Sequence, residues 1–490
     1  MPIQITSKFV AVGKALINDE WLPVTITGNR TKFGPEPVKC SILLDLSHKE
    51  SWANKLSGLS SRLTQFQGQT ADGYYVWATD FEQEIVTAYS TLIKWEGTAK
   101  RFIESNKGDL NVINDEVTYS IFLPPIPLTS VDPNRNSNSI SLEGNDEYEF
   151  ISWNTAIDKA RLIYSKLYFE ETIGIDKAIV KVQKYEIKFR RKFSKINSIM
   201  DFFENLNEEV SDAIILISFI CRKYVEWYAA QVNYVINTSY RDHDIVEAIL
   251  YRLTSSAYRA NQVIHHTWDA ETVIQKGHLS TELFQGILNN YLEFKNKHMI
   301  YQTILYLLKS YEDNYLEVRL ANLYSALETL VDGLSKENDI MYSLKNRDFS
   351  KLSKKLRQVI REELEGDQQT AEDVIKKLSE LQRRSFIDRW LDLLIKYGVD
   401  SSLDWLLEHS FASAPKTYET SNDAFSFLST VLKRRNNYIH QGILDNEHCL
   451  ADLRLIQTLI ELWVLKLLNC PDSAIEIEAF KSFSYGPSIS

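Results

Sequence analysis

Arg435, Asn436 and His440 are the residues of this chain whose types and spacing suit them to catalysis. An imidazole titrates near neutrality, so it can take a proton from a ribose 2'-hydroxyl or give one to a departing 5' oxygen. A guanidinium keeps its charge and can brace the crowded oxygens of a phosphate in transition. The two together carry the groups that phosphodiester transfer needs without a metal. Along one straight helix the step from Arg435 to His440 turns through about 500°, which leaves the side chains roughly 140° apart. A single helix therefore does not aim both at one atom.

The element that must carry these residues is a predicted helix late in the chain. Ser421, Asn422 and Asp423 supply N-cap chemistry, Phe425, Leu428, Leu432, Arg435 and Ile439 recur three and four apart, and Gly442 offers a left-handed stop. Arg435 thus falls on the apolar stripe. A guanidinium there must be faced by a carboxylate or by a cleft that admits a phosphate. Upstream, a long helix is predicted over Lys297 to Asp332, with a stripe of Leu316, Leu320, Leu323, Leu327, Leu330 and Leu334 running on past it. Glu328 lies beside that stripe, one turn after Tyr324, either as an exposed carboxylate or as the group that orients Arg435 or His440 across the bundle. Further helices are predicted at Phe349 to Glu363, Ala371 to Gln382, Phe386 to Tyr397, Leu403 to His409 and Cys449 to Leu468, the last packing through Leu453, Ile456, Leu459, Ile460 and Trp463.

An arginine, a polar residue and a histidine four positions further on resemble the signature of the HEPN superfamily. Arg435, Asn436 and His440 match it, and the run from Leu316 to Leu334, with its Ala326-Leu327-Glu328 triplet, is similar to the first long helix of the ApeA-like branch. The resemblance spans roughly residues 296 to 472. It implies a HEPN-type helical bundle acting as a metal-independent endoribonuclease with no cofactor. Its site is assembled across a two-fold interface, so two histidines supply acid and base, and Asn436 orients the histidine or the scissile phosphate. It also implies RNA, tRNA or mRNA, as the partner, and a homodimer or a higher even oligomer. ApeA-like proteins join a β-rich N-terminal region to a C-terminal HEPN domain and act as bacterial antiphage effectors that stop growth by cutting RNA. The expectation is therefore abortive infection set off by a phage-derived trigger. The alternative is a catalytically inactive member that binds RNA or nucleotide and dimerises, while the β-rich region recognises a partner.

Composition bounds the rest. A chain of 490 residues suggests two to four domains, and 44% hydrophobic with 12% aromatic residues suffices for real cores. Cys40, Cys221, Cys449 and Cys470 are far apart and form no CxxC pair, as expected of reduced core thiols in a cytosol with no zinc site. The N-terminal stretch lacks a signal pattern and the longest apolar run, Ala213 to Cys221, is too short to span a bilayer, so the expectation is a cytoplasmic protein with no membrane partner. A net charge of -11 argues against indiscriminate coating of nucleic acid. Three local basic patches run against it: residues 181 to 195, Lys345 to Arg361, and Lys433 to Arg435. Each is a solvated face unless it converges on a cleft near His440. No Gly-rich phosphate loop, GxSxG elbow, HExxH pair or DxDxDG loop is present.

The fold class expected is α+β, a β-rich N-terminal domain, sandwich or barrel-like, followed by an all-α region that ends in a HEPN-type bundle. The boundaries are 1–192 for a β-rich sensing domain, 193–295 for a helical middle region and 296–490 for the bundle. Strands are predicted at Phe9 to Ile17, Trp21 to Thr27, Val38 to Leu46, Tyr74 to Phe81, Ile85 to Trp95, Val117 to Leu123, Tyr148 to Trp153 and Ala178 to Phe189. A helix is predicted at Thr155 to Phe169, and middle-region helices at Glu208 to Asn233 and Asp244 to Thr267. His265, His266, His409 and His448 read as structural, surface or capping residues. Tyr74, Tyr75, Trp77 and Trp95 are either core or the stacking residues of a carbohydrate- or peptide-binding sheet.

Overall fold

The computed structural model describes residues 5–17, 20–32, 38–45, 63–88, 92–124, 126, 140–142, 145–155, 159–173, 176–236, 244–252, 272–274, 278–312, 315–343, 346–378, 382–399, 424–442 and 448–475. The fold is α+β. Among the described residues thirteen antiparallel strands precede most of the helices, and the chain divides into two compact units. One holds residues 1–214, 225–270 and 279–285, and the other residues 215–224, 271–278 and 286–490.

In the first unit, β1 (Ile5–Ile17), β2 (Glu20–Lys32), β3 (Val38–Asp45), β4 (Leu63–Thr70), β5 (Tyr75–Ala88) and β6 (Leu92–Ser105) close on themselves, because β3 pairs with β2 along one edge and with β6 along the other. The result is a six-stranded barrel. Alternation explains its filling: Phe9, Ala11, Ala15 and Ile17 of β1, Leu22, Val24 and Ile26 of β2, and Val38, Cys40 and Ile42 of β3 all face one apolar core. Gly13 and Gly68 face each other across β1 and β4, where a Cβ on Gly68 would lie 2.6 Å from the Val12 carbonyl oxygen. Trp95 is core, and Tyr75 and Trp77 stack at 6.0 Å on the outside.

The same sheet continues beyond β6. Its residues Arg101 to Ser105 pair with β13 (Asp244–Arg252), and the order continues through β12 (Ala229–Ile236), β7 (Asp109–Leu123), β11 (Asp176–Ser198), β10 (Lys159–Ile173), β9 (Asn145–Asn154) and β8 (Ile140–Leu142). Three expectations are corrected here. The segment read as a helix at Thr155 to Phe169 is β10, whose Ala160, Leu162 and Tyr164 are buried at alternate positions along with Ile163. The helix expected over Glu208 to Asn233 is α1 (Leu206–Ile220) only, and β12 follows it. The start of the helix expected at Asp244 to Thr267 is β13, and its remainder, with His265 and His266, lies outside the described residues. The region 193–295 is therefore not all-helical, since β12 and β13 sit in the middle of the sheet. The basic run at 181 to 195 lies on β11. Its Lys184 and Lys188 meet the buried Glu186 at 2.9 and 3.2 Å, and Arg190 meets Glu116 at 3.3 Å, so these cations are answered locally.

The second unit holds α2 (Thr281–Phe294, from its sixth residue on), α3 (Ile300–Glu312), α4 (Leu316–Glu337), α5 (Asn346–Glu363), α6 (Gln368–Lys377), α7 (Phe386–Lys396), α8 (Ala424–Gln441) and α9 (Cys449–Leu467). The single helix expected over Lys297 to Asp332 is two, α3 and α4, with Tyr315 extended before α4 and Arg319 Nε donating to the Ser310 carbonyl at 2.8 Å. Leu320, Leu323, Leu327, Leu330 and Leu334 are buried, as the stripe requires, and α4 packs against α3, α7 and α9. α9 is buried nearly all round. Among the described residues no helix is long and apolar enough to cross a membrane.

Candidate functional site

The motif helix α8 ends where its sequence says it should: Gly442 adopts φ +68° and its N–H donates to the Tyr438 carbonyl at 2.9 Å. Leu428 and Val431 are fully buried and anchor its inner face. Two adjacent arginines leave it in different directions. Arg434 makes a bidentate pair with Asp452 of α9, Nε to Oδ2 at 2.7 Å and Nη2 to Oδ1 at 2.5 Å, with the two side chains only 12% and 3% exposed. Arg435 crosses to α4, where its Nη2 pairs with Oε1 of Glu328. Of the two partners the apolar-stripe position allows, a carboxylate is present, Glu328.

Arg435 Nη1 also donates to Oδ1 of Asn436 at 2.8 Å, so the polar residue of the motif braces the guanidinium of its neighbour. Burial pushes the Arg435 pKa down from its ordinary value, a direction that still leaves a guanidinium cationic at physiological pH. Behind it, burial first and the charge of Asp452 second hold the Tyr324 phenol well above its usual range, so Tyr324 stays protonated. Tyr438, one turn on, donates to the Glu317 carbonyl at 2.9 Å and ties α8 to the start of α4. His440 lies in the last turn of α8, and its side chain, like that of Ile439, is outside the described residues. Ser421, Asn422, Asp423 and His409 also fall outside them. His448 stands at the N-cap position of α9 and is buried.

Arg435 and Asn436 open onto a pocket of about 510 Å³ that the motif alone does not reveal. Glu328, Asp332, Arg383, Arg384, Phe386, Arg389 and Leu432 line it with them. The new arginines come from one short segment. Tyr342 and Arg383 form an antiparallel bridge, Ser343 N–H donates to the Gln382 carbonyl at 2.8 Å, and Arg384 N–H donates to the Met341 carbonyl at 3.1 Å. That ladder fixes residues 382–384 beside the end of α4. Ser385 then caps α7, accepting from the Asp388 N–H at 3.2 Å, and the first turn of α7 brings Arg389 inward until it is 2% exposed. Four guanidiniums and two carboxylates line the pocket, and Asp392 answers Arg384, which leaves an excess of one positive charge in a concave, partly desolvated place. The signal for it was the Arg383-Arg384 pair and an arginine set among Phe386, Trp390 and Leu393 on a strongly amphipathic helix.

The second basic patch lies on α5, where Lys354, Arg357 and Arg361 share an open groove with Gln358, Glu362 and Glu365. Arg361 is paired to Glu372 at 3.4 Å. The patch and the arginine pocket have no residue in common. The four cysteines are buried and none is in a disulfide, and burial pushes the Cys40 and Cys221 thiols up to about 12 and Cys470 to about 11, so these three are not poised as nucleophiles. Among the described residues no three His, Cys, Asp or Glu side chains gather as metal ligands. No family model, no curated protein and no solved structure matches the chain.

Proposed function

We propose that this chain is an RNA-cutting protein of the HEPN type, with α4, α8 and α9 in its helical bundle and Arg435, Asn436 and His440 as its working residues. The observation that supports this reading is the convergence of Arg435 and Asn436 on a concave pocket with three further arginines, the side chain suited to bidentate contact with phosphate oxygens. In the reaction, one imidazole takes the proton of the 2'-hydroxyl, the 2' oxygen bonds to phosphorus, and the bond from phosphorus to the 5' oxygen breaks as a second imidazole protonates it. Arg435 holds the phosphorane oxygens, and Asn436 fixes Arg435 or the phosphate. The products are a 2',3'-cyclic phosphate and a 5'-hydroxyl. By the HEPN resemblance the second histidine comes from a second copy of the chain. The biological setting is antiphage defence by abortive infection, with the β-rich unit receiving the signal. The test is end-group analysis of tRNA and mRNA recovered from infected cells carrying the protein or its His440→Ala variant. Cyclic phosphate ends that depend on His440 support the proposal, and RNA left intact in both strains refutes it.

A second reading is favoured by the Arg435–Glu328 pair, which answers the charge of the motif arginine. In that case the bundle binds RNA or nucleotide and dimerises without cutting. His440→Ala then changes neither toxicity nor RNA ends.

A further inference from the structure

Arg383, Arg384 and Arg389 are not needed for the bond-breaking step, yet they share its pocket. Each has an identified partner among the described residues. Arg383 Nη2 reaches Asp332 Oδ1 and Oδ2 at 3.1 and 3.0 Å, Arg384 Nη1 reaches Asp392 Oδ2 at 2.6 Å, and Arg389 Nη1 reaches Asp332 Oδ1 at 2.6 Å, Ser335 Oγ at 3.3 Å and Met341 Sδ at 3.4 Å. The partners fall short of the donors. A guanidinium offers five N–H groups, and Arg389, although buried, leaves its Nε with no acceptor. Asp332, half-exposed, serves two arginines at once, as one phosphate oxyanion does in a bidentate clamp. A pocket of about 510 Å³ has room for more than the group that Arg435 holds, and it falls within the roughly 300–1,000 Å³ range of ligand sites.

We infer that Arg383, Arg384 and Arg389 form a second phosphate subsite beside Arg435, which holds a neighbouring phosphodiester of the same RNA strand, with Asp332 as the built-in counter-anion that the phosphate displaces. The inference rests on the phosphodiester reading of the Arg435 site but concerns binding rather than cutting. It makes the three arginines positioning and binding residues, and it gives the pocket a direction along a strand that a lone catalytic pair lacks.

Equilibrium binding of a fluorescent oligoribonucleotide to the full-length chain in EDTA, over a range of salt, tests this with the His440→Ala protein as the uncut parent. Arg383→Ala and Arg384→Ala, at half-exposed and partly exposed positions, should each weaken binding on the order of tenfold and lower the slope of log affinity against log salt by about 0.7 to 1. Asp332→Asn keeps a hydrogen-bonding oxygen beside the buried Arg389 while removing the competing charge, and should tighten binding about two- to fivefold, the scale of the exposed Arg383–Asp332 pair. Unchanged affinity and slope in both arginine variants overturn the subsite. ATP or inorganic pyrophosphate competing as well as a second RNA overturns the strand assignment in favour of a free phosphate ligand. RNA that binds through these arginines yet is never cut by the wild type, even with lysate from infected cells added, supports the subsite and sinks the endonuclease.

Discussion

Removing the Asp452 carboxylate should cost far more stability than removing Glu328, although both pair with adjacent arginines of the same helix. Asp452 is 3% exposed and its partner Arg434 12%, joined by two hydrogen bonds at 2.5 and 2.7 Å. Asp452→Ala takes both of these charge-assisted bonds from a guanidinium that water barely reaches, a loss of about 3–5 kcal/mol. In a unit of this size, about 2–4 °C per kcal/mol converts that to a fall of roughly 6 to 20 °C in its unfolding midpoint. Glu328 is 43% exposed, and its partner Arg435, 16% exposed, keeps its bond to Asn436 and its opening onto the pocket, so Glu328→Ala should cost under about 1 kcal/mol. Differential scanning calorimetry of both variants reads the difference. The double change Arg434→Met, Asp452→Leu should recover most of the loss, because two apolar groups need no partner. Equal midpoints for Asp452→Ala and Glu328→Ala would show that the Arg434–Asp452 pair does not hold α8 against α9.

Other consequences are open to measurement. Glu328→Gln frees Arg435 and should tighten oligoribonucleotide binding about two- to fivefold at low salt; weaker binding would make Glu328 the group that orients Arg435. His298 is buried, and burial drives its pKa below the ordinary value despite the pull of Glu337 beside it. The unfolded ring titrates near ~6.5, so below that pH the unfolded chain binds more protons, and stability present above it falls as pH drops toward the lower folded value. The urea midpoint of the wild type should therefore fall more between about pH 7.5 and 5.5 than that of His298→Gln, and parallel declines would exclude the effect. Gly13→Val would drive a side chain into the Gln67 carbonyl and should abolish the folded barrel signal in near-ultraviolet circular dichroism; a native spectrum would show that β1 and β4 do not approach so closely.

The helical part of the fold was legible where burial is one-sided. The leucine stripe of α4 and the repeat in α8 are plain because polar residues fill their other faces. The strands of the middle region were not, for two physical reasons. In β10, Leu162, Ile163 and Tyr164 are all buried, so the apolar run fits a period of 3.6 as well as a period of two. After α1 the chain stops being helical at Arg222, which takes φ +45° although no Gly or Pro marks the place between Cys221 and Ile236. Its guanidinium is held by Glu461 of α9 at 2.6 and 3.1 Å, with Tyr311 donating to the same carboxylate at 2.7 Å, so a tertiary contact fixes a boundary that local sequence does not announce. The site divides in the same way. Arg435 on an apolar stripe announced a carboxylate or a phosphate-admitting cleft, and Glu328 was in view as an exposed carboxylate or an orienting group. Asp332, Arg383, Arg384 and Arg389 were not, because the bridge between Tyr342 and Arg383 joins segments far apart in the chain.

The central claim is that Arg435 and His440 cut RNA. Purified wild type, Arg435→Ala and His440→Ala incubated with total RNA in EDTA address it directly. Fragments from the wild type alone, ending in 2',3'-cyclic phosphate, are the result expected. Equal fragmentation by all three proteins, or intact RNA in all three even with lysate from infected cells added, would contradict it.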